Sequence, residues 1–175
     1  MTPYELGKAR ILQEYADAID MWRDYAAGKV ESPIEMQMVE ALLVCSAVGP
    51  SFMSAVHPQC AGVYETDGFH IYLQRHVGRY RPDISVIWNV GNNTHLHVVV
   101  ECDGHAFHEK TKEQAARDKA RDRFLMIKGW PVLRFTGSEI YKDAGTCAEA
   151  VVDALHTQWH SGGGRVEDLQ RIFDA

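Results

Sequence analysis

Three carboxylates stand where chemistry can be done. Asp83 opens a β-branched and aromatic run that ends at Trp88, and Glu101 and Asp103 close a second run that begins at Leu96. Strand residues two apart share a face, with Cα atoms about 6.6 Å apart at about 3.3 Å per residue. Glu101 and Asp103 therefore project together, while Val100 and Cys102 point the other way. If the two strands pair, Asp83 joins them. Clustered carboxylates raise one another's pKa unless a cation sits among them. Hard divalent cations, above all Mg²⁺, take oxygen ligands of this kind. Such an ion polarises a phosphoryl oxygen and lowers the pKa of a bound water, while neighbouring cations hold the phosphates. Phosphodiester hydrolysis is the reaction this set suits. Strand ends that simply face water are the plainer reading of each acid alone.

Other residue types add to the set. His105 and His108 follow the second strand directly, and a neutral imidazole there can relay a proton or act as a general acid. A zinc site from His95, His97, His105 and His108 competes with this, but no cysteine pair supports it. Arg117, Arg121 and Lys128 recur at steps of four and seven and make one basic helix face. Asp118 and Asp122 can pair with it locally, so a salt-bridged solvent face explains it equally well. Lys110 and Lys112 lie nearer the acids in sequence, and either can supply a cation over an attacked phosphate. Arg79 and Arg81, just before Asp83, can grip a phosphate backbone.

The elements that position these residues follow from periodicity and caps. Residues 5–27 read as a helix from the spacing of Ile11, Leu12, Tyr15, Ile19, Trp22 and Tyr25, with Gly28 as its stop. Ser32, Pro33 and Glu35 form an N-terminal signature with a capping box. That helix shows Ile34, Met38, Ala41, Leu42 and Cys45 on its apolar face and ends at Gly49–Pro50. Strands are expected at 69–74, 83–88 and 96–102. A charged helix at 111–128 carries an apolar stripe of Ala116, Ala120, Phe124 and Ile127, and Gly129 closes it. A strand at 132–135, a helix at 143–158 and a short loose helix in the tail complete the order. Three consecutive strands suggest an antiparallel meander. The passage from 96–102 through the helix to 132–135 suggests a right-handed crossover between parallel strands.

The whole-chain numbers are those of one ordinary domain. The chain has 175 residues, 46% hydrophobic and 24% charged, with a net charge of −6. That charge counts at first against a nucleic-acid partner, but it is unevenly placed. Residues 1–68 balance at −6, residues 69–134 at +4 and residues 135–175 at −4. The basic surplus thus coincides with every strand-end acid. No run of eighteen apolar residues exists, which excludes a spanning helix and a membrane partner of that kind. Met1 to Lys8 has no secretory pattern, and the four cysteines form no C-x-x-C pair. Reduced thiols in a cytoplasmic protein are the expectation.

Several stretches together resemble a known family. In order they are Glu31–Ser–Pro–Ile–Glu35, Gly78–Arg–Tyr–Arg–Pro–Asp83, Val99–Val–Glu–Cys–Asp–Gly–His–Ala–Phe–His108, Arg117–Asp–Lys–Ala–Arg–Asp–Arg123, and Val132–Leu–Arg–Phe–Thr–Gly–Ser–Glu–Ile140 after Gly129. They resemble the bacterial endonuclease-like proteins related to very-short-patch-repair (Vsr-like) nucleases, within the PD-(D/E)xK restriction-endonuclease-like superfamily. The resemblance covers roughly residues 31–153. It implies an α/β fold with an αβββαβ core, a mixed sheet flanked by helices. On this reading residues 1–30 are an extra helical extension, 31–160 the nuclease-like domain and 161–175 a tail.

The resemblance also implies roles. Asp83 and Glu101 match the metal-binding acids, with Asp103 joining them. Glu35 matches a first-helix glutamate that can join the metal or its water, although its capping role is also adequate. His108 matches a histidine near the active site. The superfamily places a lysine two residues after the second acid, but here Asp103 stands there. The E-x-D form is usual for this branch, and Lys112 or Arg117 from the next helix can take the lysine's role. Arg79, Arg81, Lys110, Arg117, Arg121 and Arg134 are then the DNA-contacting cations. The implied activity is a Mg²⁺-dependent DNA endonuclease, with Mn²⁺ as a substitute, in repair or mobile-element biology. The missing lysine leaves open a catalytically inactive DNA-binding module, and an RNA-directed nuclease is a third reading. The helix at 5–27 reads either as a homodimer surface or as a lid on the core.

Overall fold

Each helix begins at a cap that the local sequence supplies. The first, α1 (Pro3–Ala27), starts from Thr2, whose hydroxyl accepts the Glu5 N–H while the Glu5 carboxylate accepts the Thr2 N–H. The second, α2 (Pro33–Val44), starts from Ser32 with proline in its first turn. The computed structural model describes residues 2–45, 68–90, 94–104, 111–162 and 165–166. Within these, β1 (Gly68–Leu73), β2 (Ile84–Asn89) and β3 (Thr94–Asp103) precede α3 (Lys112–Ile127). Then come β4 (Val132–Thr136), α4 (Gly137–His160) and a two-residue β5 (Arg165–Val166).

The sheet is mixed, in the order β1-β2-β3-β4. β1, β2 and β3 form the expected antiparallel meander, and β4 lies parallel to β3 after the α3 crossover. Alternation along β3 sorts the core into two layers. Leu96, Val98, Val100 and Cys102 join Ile71, Leu73, Ile84 and Val86 under α2 and α4, with Trp22 and Ala26 of α1 packed into the same cluster. On the other face Tyr72, Ile87 and Val99 meet Leu125 of α3 and Trp130. Burying side chains of this size stabilises the fold by about 1.5–3 kcal/mol each. No described helix is long and apolar enough to cross a membrane.

Three expectations change. The last helix begins at Gly137 rather than 143, because Thr136 and Glu139 form a capping box of their own. Asp143 interrupts it in an extended conformation (φ −163°, ψ 83°) and caps the second segment, accepting the Thr146 N–H at 3.0 Å. Residues 165–166 of the tail, where a loose helix is expected, are a strand paired antiparallel with Thr94 and His95, and residues 167–175 lie outside the described residues. The apolar stripe of α3 is rotated from the expected one. Leu125 is its fully buried residue, while Ile127 is 79% exposed. The cause is Arg121, which turns inward to a buried acid and sets the helix's inner face.

Candidate active site

The acids gather at the end of the sheet where β2 begins and β3 ends. Ile84 pairs with Val100, so Asp83 falls opposite Glu101. Asp83 Oδ2 accepts the Cys102 backbone N–H at 2.8 Å, which fixes its carboxylate at the strand end. Glu101 and Asp103 share the face opposite Val100 and Cys102, as strand alternation requires.

Glu101 carries the strongest electrostatic conflict. It is 4% exposed, and its Oε1 is buried with no hydrogen-bond partner. Its Oε2 lies 3.3 Å from Arg121 Nη2. Burial, opposed by Arg121 and aided by Asp83, raises its pKa to about 7. Asp83 is also raised, first by burial and then by Glu35, against the Cys102 hydrogen bond. Burial pushes the Cys102 thiol upward too, with the surrounding acids adding to it, so it is no nucleophile.

The acids are held as two linked groups. Arg134 Nη1 lies 3.4 Å from Asp103 Oδ2, and its Nη2 lies 2.6 Å from Asp122 Oδ1. Glu35 is buried and accepts from the Glu31 N–H at 2.9 Å, the Ser32 hydroxyl at 2.7 Å and Gln74 Nε2 at 3.0 Å. Glu35 does not close the expected capping box, because its carboxylate takes the Glu31 N–H and the Ser32 hydroxyl rather than the Ser32 N–H, and it reaches the acids through Gln74, whose Nε2 is also 3.5 Å from Asp83 Oδ1. Among the described residues no three His, Cys, Asp or Glu side chains close into a complete ligand set. The arginines draw Glu101 and Asp103 toward α3 and β4, while Gln74 holds Glu35 and Asp83 from the other side.

These residues nevertheless suit a hard divalent cation. The donors are carboxylate oxygens, the two central acids have raised pKa values, and Glu101 offers a buried oxygen with no partner. Asp83 and Glu101 are the residues that would hold it.

The basic residues divide in a way their spacing does not show. Arg121 faces Glu101 rather than solvent, and Arg134 sits between two aspartates. Arg81 is ion-paired with Glu31. Arg79 is exposed and lies over the Tyr80 and Phe124 rings at 5.0 and 5.4 Å. Arg117 is exposed on α3, its Nε 3.4 Å from the Glu113 carbonyl, and Lys112 is exposed at the helix start. His105, His108 and Lys110 lie outside the described residues. His95 and His97, the other half of the competing zinc reading, are buried in the sheet, with the His97 ring tilted against Trp130 at 4.3 Å between centroids.

Two placements depend on the tertiary fold. Gln74 ends a strand in the sequence pattern, and nothing local marks its amide as a partner of the acids. Arg121, which its spacing puts on a basic outer face, is turned inward by the tertiary fold, with Nη2 3.3 Å from Glu101 Oε2.

Comparison with known proteins bears on the same stretch. No curated protein and no solved structure matches the chain. Residues 60–155 match REase_MTES_1575, a restriction-endonuclease-like family, and that span holds Gln74, Asp83, Glu101, Asp103, Arg121 and Arg134. The match covers more than half of the chain, which therefore belongs to this family of nucleases.

Proposed function

We infer that the protein is a divalent-metal-dependent DNA endonuclease that hydrolyses phosphodiester bonds, with Mg²⁺ as its ion, Mn²⁺ as a substitute and a Vsr-like role. The observation that carries this reading is Glu101: a buried, half-paired carboxylate beside Asp83 at a sheet end, within a nuclease family. A buried acid left partly unpaired costs stability, and such sites are commonly functional.

Asp83 and Glu101 hold the cation in this reading, and Asp103 supports them. A divalent ion bound there supplies positive charge to the phosphoryl oxygens and makes water easier to deprotonate. Arg121 takes the place of the missing motif lysine, in preference to Lys112 or Arg117. Its guanidinium already lies at Glu101, and its Nε is buried with no hydrogen-bond partner. That group is placed to offset charge developing on the phosphate. Arg134 orients Asp103 through its fork between two aspartates. Arg79 and Arg117 grip the DNA backbone from the surface.

One specific observation favours a second reading, a DNA-binding module without catalysis. Arg121 and Arg134 already neutralise Glu101 and Asp103, so the pocket needs less help from a metal. Supercoiled plasmid, mismatched duplex and single-stranded RNA, each incubated with pure protein and Mg²⁺ or Mn²⁺, separate these readings. Cleavage by wild type that Asp83→Asn and Glu101→Gln both abolish supports the endonuclease. A salt-sensitive gel shift with no cleavage under either ion supports the binding module. Cleavage of RNA alone moves the substrate class.

A further inference from the structure

Gln74 is under backbone tension that its side chain explains. It has φ +52°, and it is the one non-glycine residue with positive φ among those described. Glycine is the default in this region because a Cβ is disfavoured there. An outlier of this kind persists only where its surroundings over-determine it, and such outliers cluster at functional sites. The surroundings of Gln74 are unusual in kind. Its backbone N–H donates to the Asp83 carbonyl at 2.9 Å, which ties the end of β1 to the start of β2. Its side-chain amide nitrogen lies 3.0 Å from Glu35 Oε2 and 3.5 Å from Asp83 Oδ1. Both neighbours are acceptors, so the amide orientation has one solution, with nitrogen toward them.

We propose that Gln74 is a positioning residue, which holds the Glu35 and Asp83 carboxylates in fixed orientation so that Asp83 is presented to a divalent cation. The role rests on reading Asp83 and Glu101 as the cation-holding acids. The chemistry of the side chain suits it. A lysine or arginine here would neutralise the two acids and compete with the ion. A carboxylate would add to their repulsion. A neutral amide supplies two donors without charge, so it spaces and orients the acids and leaves their negative charge for the ion. Partners of this outer kind set metal affinity, and their loss typically costs 10–100-fold.

The test compares wild type with Gln74→Gly and Gln74→Asn in the full chain. Glycine relieves the backbone, and asparagine tolerates positive φ but is one methylene too short to bridge. Three quantities are measured: thermal midpoint in EDTA, Mn²⁺ affinity by calorimetry, and kcat and KM on DNA. In Gln74→Gly the thermal midpoint is expected to equal or exceed that of wild type. In both variants the Mn²⁺ dissociation constant is expected to rise about tenfold or more, and kcat to fall with KM for DNA unchanged. If glycine prevents folding, the asparagine variant carries the comparison. Wild-type Mn²⁺ affinity in either folded variant assigns Gln74 to the turn alone and overturns the proposal. A wild-type protein that binds no Mn²⁺ overturns the reading of the acids themselves, and the role of Gln74 with it.

Discussion

Glu101 sits where burial and clustering work against its charge, and this makes its proton a measurable quantity. Its folded pKa of about 7 lies above its ordinary value of 4.5, so the native state binds the proton more tightly than the unfolded chain. The associated stability is fully present below pH 4.5 and is lost as pH rises through 7. Metal-free protein is therefore expected to lose roughly 3 kcal/mol of this contribution between pH 4.5 and 8. Urea titrations in EDTA across that range measure it, and Glu101→Gln should flatten the slope. Mg²⁺ should flatten it in wild type as well, because a bound cation favours the ionised carboxylate. Arg121→Met should be costlier at pH 8 than at pH 6, since protonation of Glu101 relieves the unpaired charge. A loss that is equal at both pH values contradicts the coupling. The acids were legible in the sequence because acidic side chains at a strand end, with a period of two, declare a shared face. Gln74 and the inward turn of Arg121 were not legible. Each depends on a partner from another element, and nothing local marks an amide or a guanidinium as inward-facing.

Elements were read best where a cap marks their start. The Ser32–Pro33 signature and Gly129 both stand where the sequence places them, and the strands expected at 83–88 and 96–102 are found at Ile84–Asn89 and Thr94–Asp103. The start of α4 was missed because its cap, Thr136, is also the last residue of β4, so two signals share one residue. The rotated stripe of α3 has a different origin. Its helix period counts apolar residues, whereas a buried ion pair fixes the inner face. α1 divides along its length. Trp22 is 2% exposed in the main core, while Leu12 is 61% exposed. Trp22→Ala is expected to cost about 3–5 kcal/mol, against about 0.5 kcal/mol or less for Leu12→Ala. Chemical denaturation of the two variants checks this, and equal losses would mean that the outer half of α1 is also covered. Asp143→Ala removes the cap inside α4 and should lower the thermal midpoint by a few degrees without altering Mg²⁺ binding.

At the scale of the molecule, the net charge of −6 and a DNA substrate are reconciled by where cations are used. Arg81, Arg121 and Arg134 are ion-paired with acids of the chain itself, so the basic surplus of residues 69–134 reaches DNA only in part. Affinity is expected to be modest and steeply salt-dependent. Arg79→Ala and Arg117→Ala should each lower the slope of log K against log salt by about one, leaving the Mn²⁺ constant unchanged. Fluorescence anisotropy at several salt concentrations reads this directly, and slopes unchanged in both variants would move the DNA to another face. The pairing of β5 with Thr94 and His95 has a practical side. Those residues begin the strand that ends at Asp103, and eight residues of strand span about 26 Å. A fluorophore or surface tether attached beside β5 would thus sit at the far end of the sheet from the acids. Single-molecule or immobilised assays built that way would leave the acid-bearing end pointing outward, open to a long duplex.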